Sequence, residues 1–143
     1  EQKIKVVLAK LLGSIAPAAI LSTGLDANLL SHDPEVVRMY IEDPLVHSKI
    51  SFGVGKTMIW INRSTFEHAS EFPVPPLLMH GTEDRIAYPS GSKDFAPLVK
   101  GECTLKLWEG MWHETHNEPE KEKVFEFLLD WPTVTERMRK DWK

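Results

Sequence analysis

Two apolar runs in the second half of the chain each spill into a polar loop. Pro76-Leu77-Leu78-Met79 runs into His80-Gly81-Thr82-Glu83-Asp84-Arg85-Ile86, and Leu105-Lys106-Leu107-Trp108 runs into Glu109-Gly110-Met111-Trp112-His113-Glu114. A short apolar run bounded by turn residues reads as a strand. Strands are therefore expected at residues 77–80 and 103–108. Between them, residues 90–99 read as a short helix opened by Ser90. After a loop through Asn117, Glu118-Pro119 starts a last helix that turns Val124, Phe125, Phe127, Leu128 and Trp131 inward. Strand and helix in alternation argue for parallel strands joined by right-handed crossovers, an α/β arrangement. The run at 77–79 shows no polar alternation, which predicts burial on both faces of the sheet.

Residues 1–72 follow the helical period instead. Ile4, Val7, Leu8, Leu11 and Leu12 recur on one face of a first helix that Gly13 and Pro17 loosen or end. Asp33-Pro34-Glu35 is a helix start, with Asp as the cap, Pro in the first turn and Glu favoured by the helix dipole. Val36, Val37, Tyr40 and Ile41 form its apolar face, and Asp43-Pro44 closes it. A longer helix is expected over residues 48–69, with Gly53 and Gly55 as weak points. The Pro-rich stretch Phe72-Pro73-Val74-Pro75-Pro76 divides this helical region, 1–72, from the α/β region, 73–143. Residues 133–143 read as one or two exposed helical turns after a kink at Pro132.

Composition changes this picture little. A length of 143 residues ordinarily means one domain, yet only two good strands are visible, and two strands make a poor domain. A further segment is expected to complete the sheet. The net charge of −4 argues against a nucleic-acid partner, which would want a basic face. No apolar run approaches the ~18 residues of a membrane span. Glu1-Gln2-Lys3 leads into an amphipathic stretch with no small-residue cleavage site, so no secretory signal is expected there. The single Cys103 excludes an internal disulfide and reads as a small buried hydrophobe rather than a nucleophile.

Chemistry concentrates at the two strand ends. Asp84 and His113 each follow a strand directly, so both belong to the same edge of a parallel sheet. A carboxylate that fixes an imidazole, and an imidazole that takes a hydroxyl proton, are two of the three parts of a serine hydrolase. Singly, Asp84 reads first as a turn residue and His113 as a structural or exposed histidine. His113-Glu114-Thr115-His116 places two histidines three apart ahead of a helix, which does not match the zinc-protease spacing, and no metal is expected. Ser90 and Ser92 belong to a helix start rather than to a nucleophile elbow. Trp108, Trp112, Trp131 and Trp142 fall on different elements and form no shared platform.

Read together, these segments resemble the carboxyl-terminal part of the monoacylglycerol lipase family, α/β-hydrolases that include lysophospholipases and serine aminopeptidase-like hydrolases. Leu77-Leu78-Met79-His80-Gly81-Thr82-Glu83-Asp84-Arg85-Ile86, Thr104-Leu105-Lys106-Leu107-Trp108-Glu109-Gly110 and His113-Glu114-Thr115-His116-Asn117-Glu118 carry the likeness most specifically. Leu30-Ser31-His32-Asp33-Pro34-Glu35-Val36 and Asp43-Pro44-Leu45-Val46 resemble the family's cap, and the likeness runs to about Trp131. The resemblance implies a partial α/β-hydrolase fold, a helical cap followed by strand-helix-strand-helix of a parallel sheet. It implies Asp84 as triad acid and His113 as triad base in the hydrolysis of a monoacylglycerol or lysophospholipid ester. Phe52, Met58 and Ile59 become candidates to line an acyl tunnel, and Trp112 a candidate substrate contact. The cap implies peripheral membrane contact, and the location expected is cytoplasmic or peripherally membrane-associated. No metal or organic cofactor is implied.

One departure is large. In the family the serine elbow and the first oxyanion-hole loop precede the cap, and no Gly-x-Ser-x-Gly occurs in this sequence. The expectation is that another segment or chain supplies the nucleophile, and that this chain alone is inactive. The alternative from another class is a non-catalytic lipid-binding or assembly module derived from a hydrolase.

Overall fold

The two apolar runs pair side by side and parallel. In the computed structural model, which describes residues 2–131, β3 (Leu77–Gly81) lies against β4 (Thr104–Trp108) with Leu77 opposite Thr104 and Gly81 opposite Trp108. This register brings both strands to their carboxyl ends at the same level, so the loops after Gly81 and Trp108 leave from one edge. The crossover between them carries α4 (Ser90–Phe95) and a following 3₁₀ turn (Ala96–Leu98). The expected helix at 90–99 is thus split, because Pro97 removes an N–H from the ladder. Pro89 stands at its cap position, without a side-chain cap bond, so Ser90 is not the cap. After β4 a loop with a 3₁₀ turn (Thr115–Asn117) leads into α5 (Lys121–Asp130).

The elements before β3 are, in order, α1 (Gln2–Ile15), β1 (Ile20–Ser22), α2 (Pro34–Glu42), β2 (Lys49–Ser51) and α3 (Phe52–Glu67). The described chain forms two compact units. One comprises residues 2–25 and 43–69, the other residues 26–42 and 70–131. Residues 26–42, part of the helical region in the sequence, belong with the α/β unit.

In the first unit, α1 packs on α3, and β1 pairs antiparallel with β2. Residues 48–69 are therefore not one helix. Ser51 ends the strand and caps α3, its Oγ accepting the Val54 N–H at 3.2 Å. Nor does α1 end at Gly13. A Cβ there would lie 2.8 Å from both the Phe52 carbonyl and the Lys56 Cβ, so glycine lets the two helices cross closely while α1 continues to Ile15. Val7 and Leu11 are exposed, although the periodicity assigns them to an apolar face.

In the second unit, Trp108, Met111 and Val124 form a buried cluster that Met79, Phe127 and Leu128 extend. Phe127 meets Trp108 edge-on with centroids 5.7 Å apart, a favoured aromatic geometry. The Trp131 indole N–H donates to Thr104 Oγ1 at 3.2 Å and ties the end of α5 to the start of β4. Phe125, expected inward, is exposed. Leu77, Leu78 and Met79 are half-buried rather than covered on both faces, since each strand of this two-stranded sheet has one neighbour. The expected kink at Pro132, the turns at 133–143 and Trp142 lie outside the described residues.

Candidate functional site

Gly81 ends β3 where two loops cross. A Cβ there would sit 2.2 Å from the carbonyl oxygens of both Met111 and Trp112, so only glycine allows the backbones this approach. Three hydrogen bonds then stitch the loops together. Thr82 N–H donates to the Trp108 carbonyl at 2.9 Å, Glu83 N–H to the Met111 carbonyl at 3.1 Å, and Gly110 N–H to Thr82 Oγ1 at 2.8 Å. Asp84 and His113 are carried on these two joined loops, and the structure brings them together. His113 Nδ1 lies 2.8 Å from Asp84 Oδ2.

Asp84 is 3 % exposed, and a carboxylate so buried needs donors. It has four. The Ile86 and Ala87 N–H groups donate to Oδ1 at 2.8 and 2.9 Å, while the rings of His113 and His80 meet Oδ2 at 2.8 and 3.0 Å. Burial pushes this carboxyl up, but the His113 hydrogen bond, the Ala87 and Ile86 amides and the His113 charge outweigh burial and hold it below its ordinary value. Since the carboxylate oxygen can only accept, Nδ1 of His113 carries a proton in either charge state, and in the neutral ring Nε2 is left to accept. An imidazole in that tautomer can take a proton from a hydroxyl and return it to a leaving group.

The loop around His113 is fixed from a second side. Glu118, 1 % exposed, accepts the Trp112 N–H at 2.7 Å and the His32 N–H at 3.2 Å, and the His32 ring reaches it at 3.0 Å. Ser31 Oγ donates to the Asn117 carbonyl at 2.8 Å, and Glu114 N–H donates to the Leu30 carbonyl at 2.9 Å. Glu118 is therefore not the cap of α5, which begins three residues later without a side-chain cap. Its backbone partners lie six and 86 residues away, outside the reach of a helix cap.

Of the candidate substrate contacts, Trp112 stacks on the His32 ring with centroids 3.8 Å apart. It lines a groove of about 490 Å³ with Asn28, Pro34, Val37 and Ile41. In the other unit, Met58 lines a cleft of about 760 Å³ with Val54, Trp60 and Ile61, whereas Phe52 and Ile59 are not among its walls. Ser92, two residues after Ser90 on α4, meets His80 Nδ1 at 2.8 Å. Cys103 is half-buried, just before β4, rather than fully buried as expected, and what burial it has pushes the thiol up. Among the described residues no three His, Cys, Asp or Glu side chains converge as a metal site.

An acid and an imidazole on adjacent parallel-strand loops are a hydrolase arrangement, and comparison with known proteins agrees. Residues 1–120 match the Hydrolase_4 family, described as Serine aminopeptidase, S33. The chain belongs to this family. It is 37 % identical over 130 residues to a monoacylglycerol lipase of Mycolicibacterium smegmatis, matching 90 % of this chain and 46 % of the lipase. It is 39 % identical over 130 residues to an uncharacterized abhydrolase domain-containing protein of Dictyostelium discoideum, matching 90 % of this chain and 14 % of that protein. The crystal structure of Paleococcus ferrophilus monoacylglycerol lipase superposes with a TM-score of 0.86 at 38 % identity, over 90 % of this chain and 51 % of the lipase. The fold is thus part of an α/β-hydrolase. The chain spans about half the length of the two lipases and a smaller share of the Dictyostelium protein.

Proposed function

We propose that this chain carries the acid and the base of a serine ester hydrolase acting on a monoacylglycerol or lysophospholipid. The observation that carries the reading is the 2.8 Å contact between His113 Nδ1 and Asp84 Oδ2 on two loops stitched by backbone hydrogen bonds. Membership of a hydrolase family and likeness to monoacylglycerol lipases support it. His113 Nε2 takes the serine proton as the hydroxyl attacks the ester carbonyl, and then gives it to the departing alcohol. Water, deprotonated by the same nitrogen, attacks the acyl-serine, and that proton passes to the serine oxygen as the acid leaves. Asp84 stays ionised and holds the imidazolium.

The serine comes from sequence other than these 143 residues, which contain no Gly-x-Ser-x-Gly. The chain by itself is then inactive, since loss of nucleophile and oxyanion donors removes many orders of magnitude in rate. Residues 1–72 act as the cap region, of which residues 26–42 belong with the core unit, and residues 73–143 act as part of the hydrolase core. Peripheral membrane contact is supported by Val54, Met58, Trp60 and Ile61, all exposed on α3. Among the described residues no helix is long and apolar enough to cross a membrane.

A fluorophosphonate probe tests the reading. The chain alone should neither label nor hydrolyse a monoacylglycerol, and should support labelling and turnover when joined to a segment bearing a serine elbow. Turnover by the chain alone would overturn the claim about the nucleophile. Lipid binding without labelling in either state would favour a non-catalytic lipid-binding module.

A further inference from the structure

His80 makes a contact that the acid–base pair does not require. It is the fourth residue of β3, its side chain is 15 % exposed, and its ring is held at both nitrogens. Nε2 lies 3.0 Å from Asp84 Oδ2 and 2.5 Å from the Ala87 carbonyl. Both oxygens can only accept, so Nε2 bears a hydrogen whatever the charge of the ring. Nδ1 lies 2.8 Å from Ser92 Oγ, which can donate to it when it is bare.

We propose that His80 is a positioning residue which, oriented by Ser92, donates from Nε2 to Asp84 Oδ2 and so locks the carboxylate that holds His113. The inference rests on the acid–base reading given above. A carboxylate offers roughly four lone-pair sites, and Asp84 has four donors. With all of them engaged, rotation about the Cβ–Cγ bond breaks several hydrogen bonds at once. Without His80, Oδ2 would have His113 as its sole donor among these four, and the carboxylate could pivot with that ring. The Ala87 carbonyl shares the Nε2 hydrogen and also fixes the loop whose amide caps Oδ1. Ser92 thereby holds one ring nitrogen, and Ala87 and Asp84 together hold the other. The group is built before any substrate arrives, as preorganised sites require.

Imidazole nitrogen NMR on the full 143-residue chain tests this without turnover. His80 should carry its proton on Nε2, and His113 should show a protected Nδ1–H. In His80→Leu the His113 Nδ1–H should exchange about tenfold faster, the equivalent of one lost hydrogen bond. His80→Gln, which retains an N–H of similar reach, should restore protection. Where His80→Leu does not fold, Ser92→Ala serves, with faster exchange of the same sign and smaller size. A His80 proton on Nδ1 in the wild-type chain, or unchanged His113 exchange in His80→Leu or Ser92→Ala, overturns the proposal alone. Absence of any protected His113 Nδ1–H in the wild type overturns the acid–base reading with it.

Discussion

Glu118 Oε1 accepts the backbone N–H of Trp112 at 2.7 Å, and so anchors the residue immediately before His113 to a carboxylate that water scarcely reaches. The same carboxylate accepts the His32 N–H. Glu118→Ala should therefore leave two part-buried N–H groups without their acceptor. We expect a total loss of roughly 1–3 kcal/mol, less than two fully buried orphans would cost. Urea denaturation checks it, as a lower midpoint at unchanged slope. Glu118→Gln, which keeps one acceptor oxygen, should lose less.

Asp84→Asn should leave the loops in place and reverse the hydrogen-bonding sense at His113. An amide N–H facing Nδ1 favours the tautomer with the proton on Nε2, which cannot act as a base. In a preparation where the wild-type chain supports ester turnover, kcat should fall by about 10⁴, the magnitude known for the equivalent change in serine proteases. A loss below tenfold would argue against the role proposed for Asp84.

The lowered Asp84 carboxyl links stability to acid. Its value in the folded chain lies below the ordinary 3.8, so the folded state binds the proton less readily than the unfolded one. The resulting stabilisation is fully present above that ordinary value and disappears as pH falls through the folded one. Thermal midpoints followed from neutral pH to below pH ~3 should fall more steeply for the wild type than for Asp84→Asn, whose side chain does not titrate.

Gly81→Ala and Gly91→Ala should diverge. At position 81 a Cβ would meet two carbonyl oxygens at 2.2 Å, whereas at position 91 it meets nothing within 4 Å. Backbone must move in the first case, with a cost of at least ~1–3 kcal/mol as in overpacked cores. In the second, on helix α4, alanine should stabilise by up to ~1 kcal/mol through higher helix propensity. Thermal unfolding of the pair, side by side, measures both signs.

The parts legible in the sequence were those decided locally. Asp33-Pro34-Glu35 signalled the start of α2, and Asp33 Oδ1 does accept the Glu35 N–H at 2.9 Å. The strands at Leu77 and Thr104 followed from apolar runs with turn residues after them, and their parallel pairing from the helix between. What escaped was decided at a distance. The strand at Lys49–Ser51 exists because Ile20–Ser22 pairs with it, and nothing in its three residues overrides the helical pattern downstream. Glu118, beside Pro119 at an apparent helix start, shapes the histidine loop through donors at positions 32 and 112 that the neighbouring sequence does not reveal. His80 stands four residues before Asp84 across a turn, a spacing that hints at contact only once the turn is known.

The links from Ser31 to Asn117 and from His32 to Glu118 each span 86 residues. Such links close a long loop of chain, whose entropic cost must be met before the contacts return anything. The histidine loop therefore cannot reach its final shape from its own strand and helix alone. Its final shape depends on a segment near residue 31, 86 positions away along the chain. A local opening of that segment would likewise release the loop while the parallel strands stay paired.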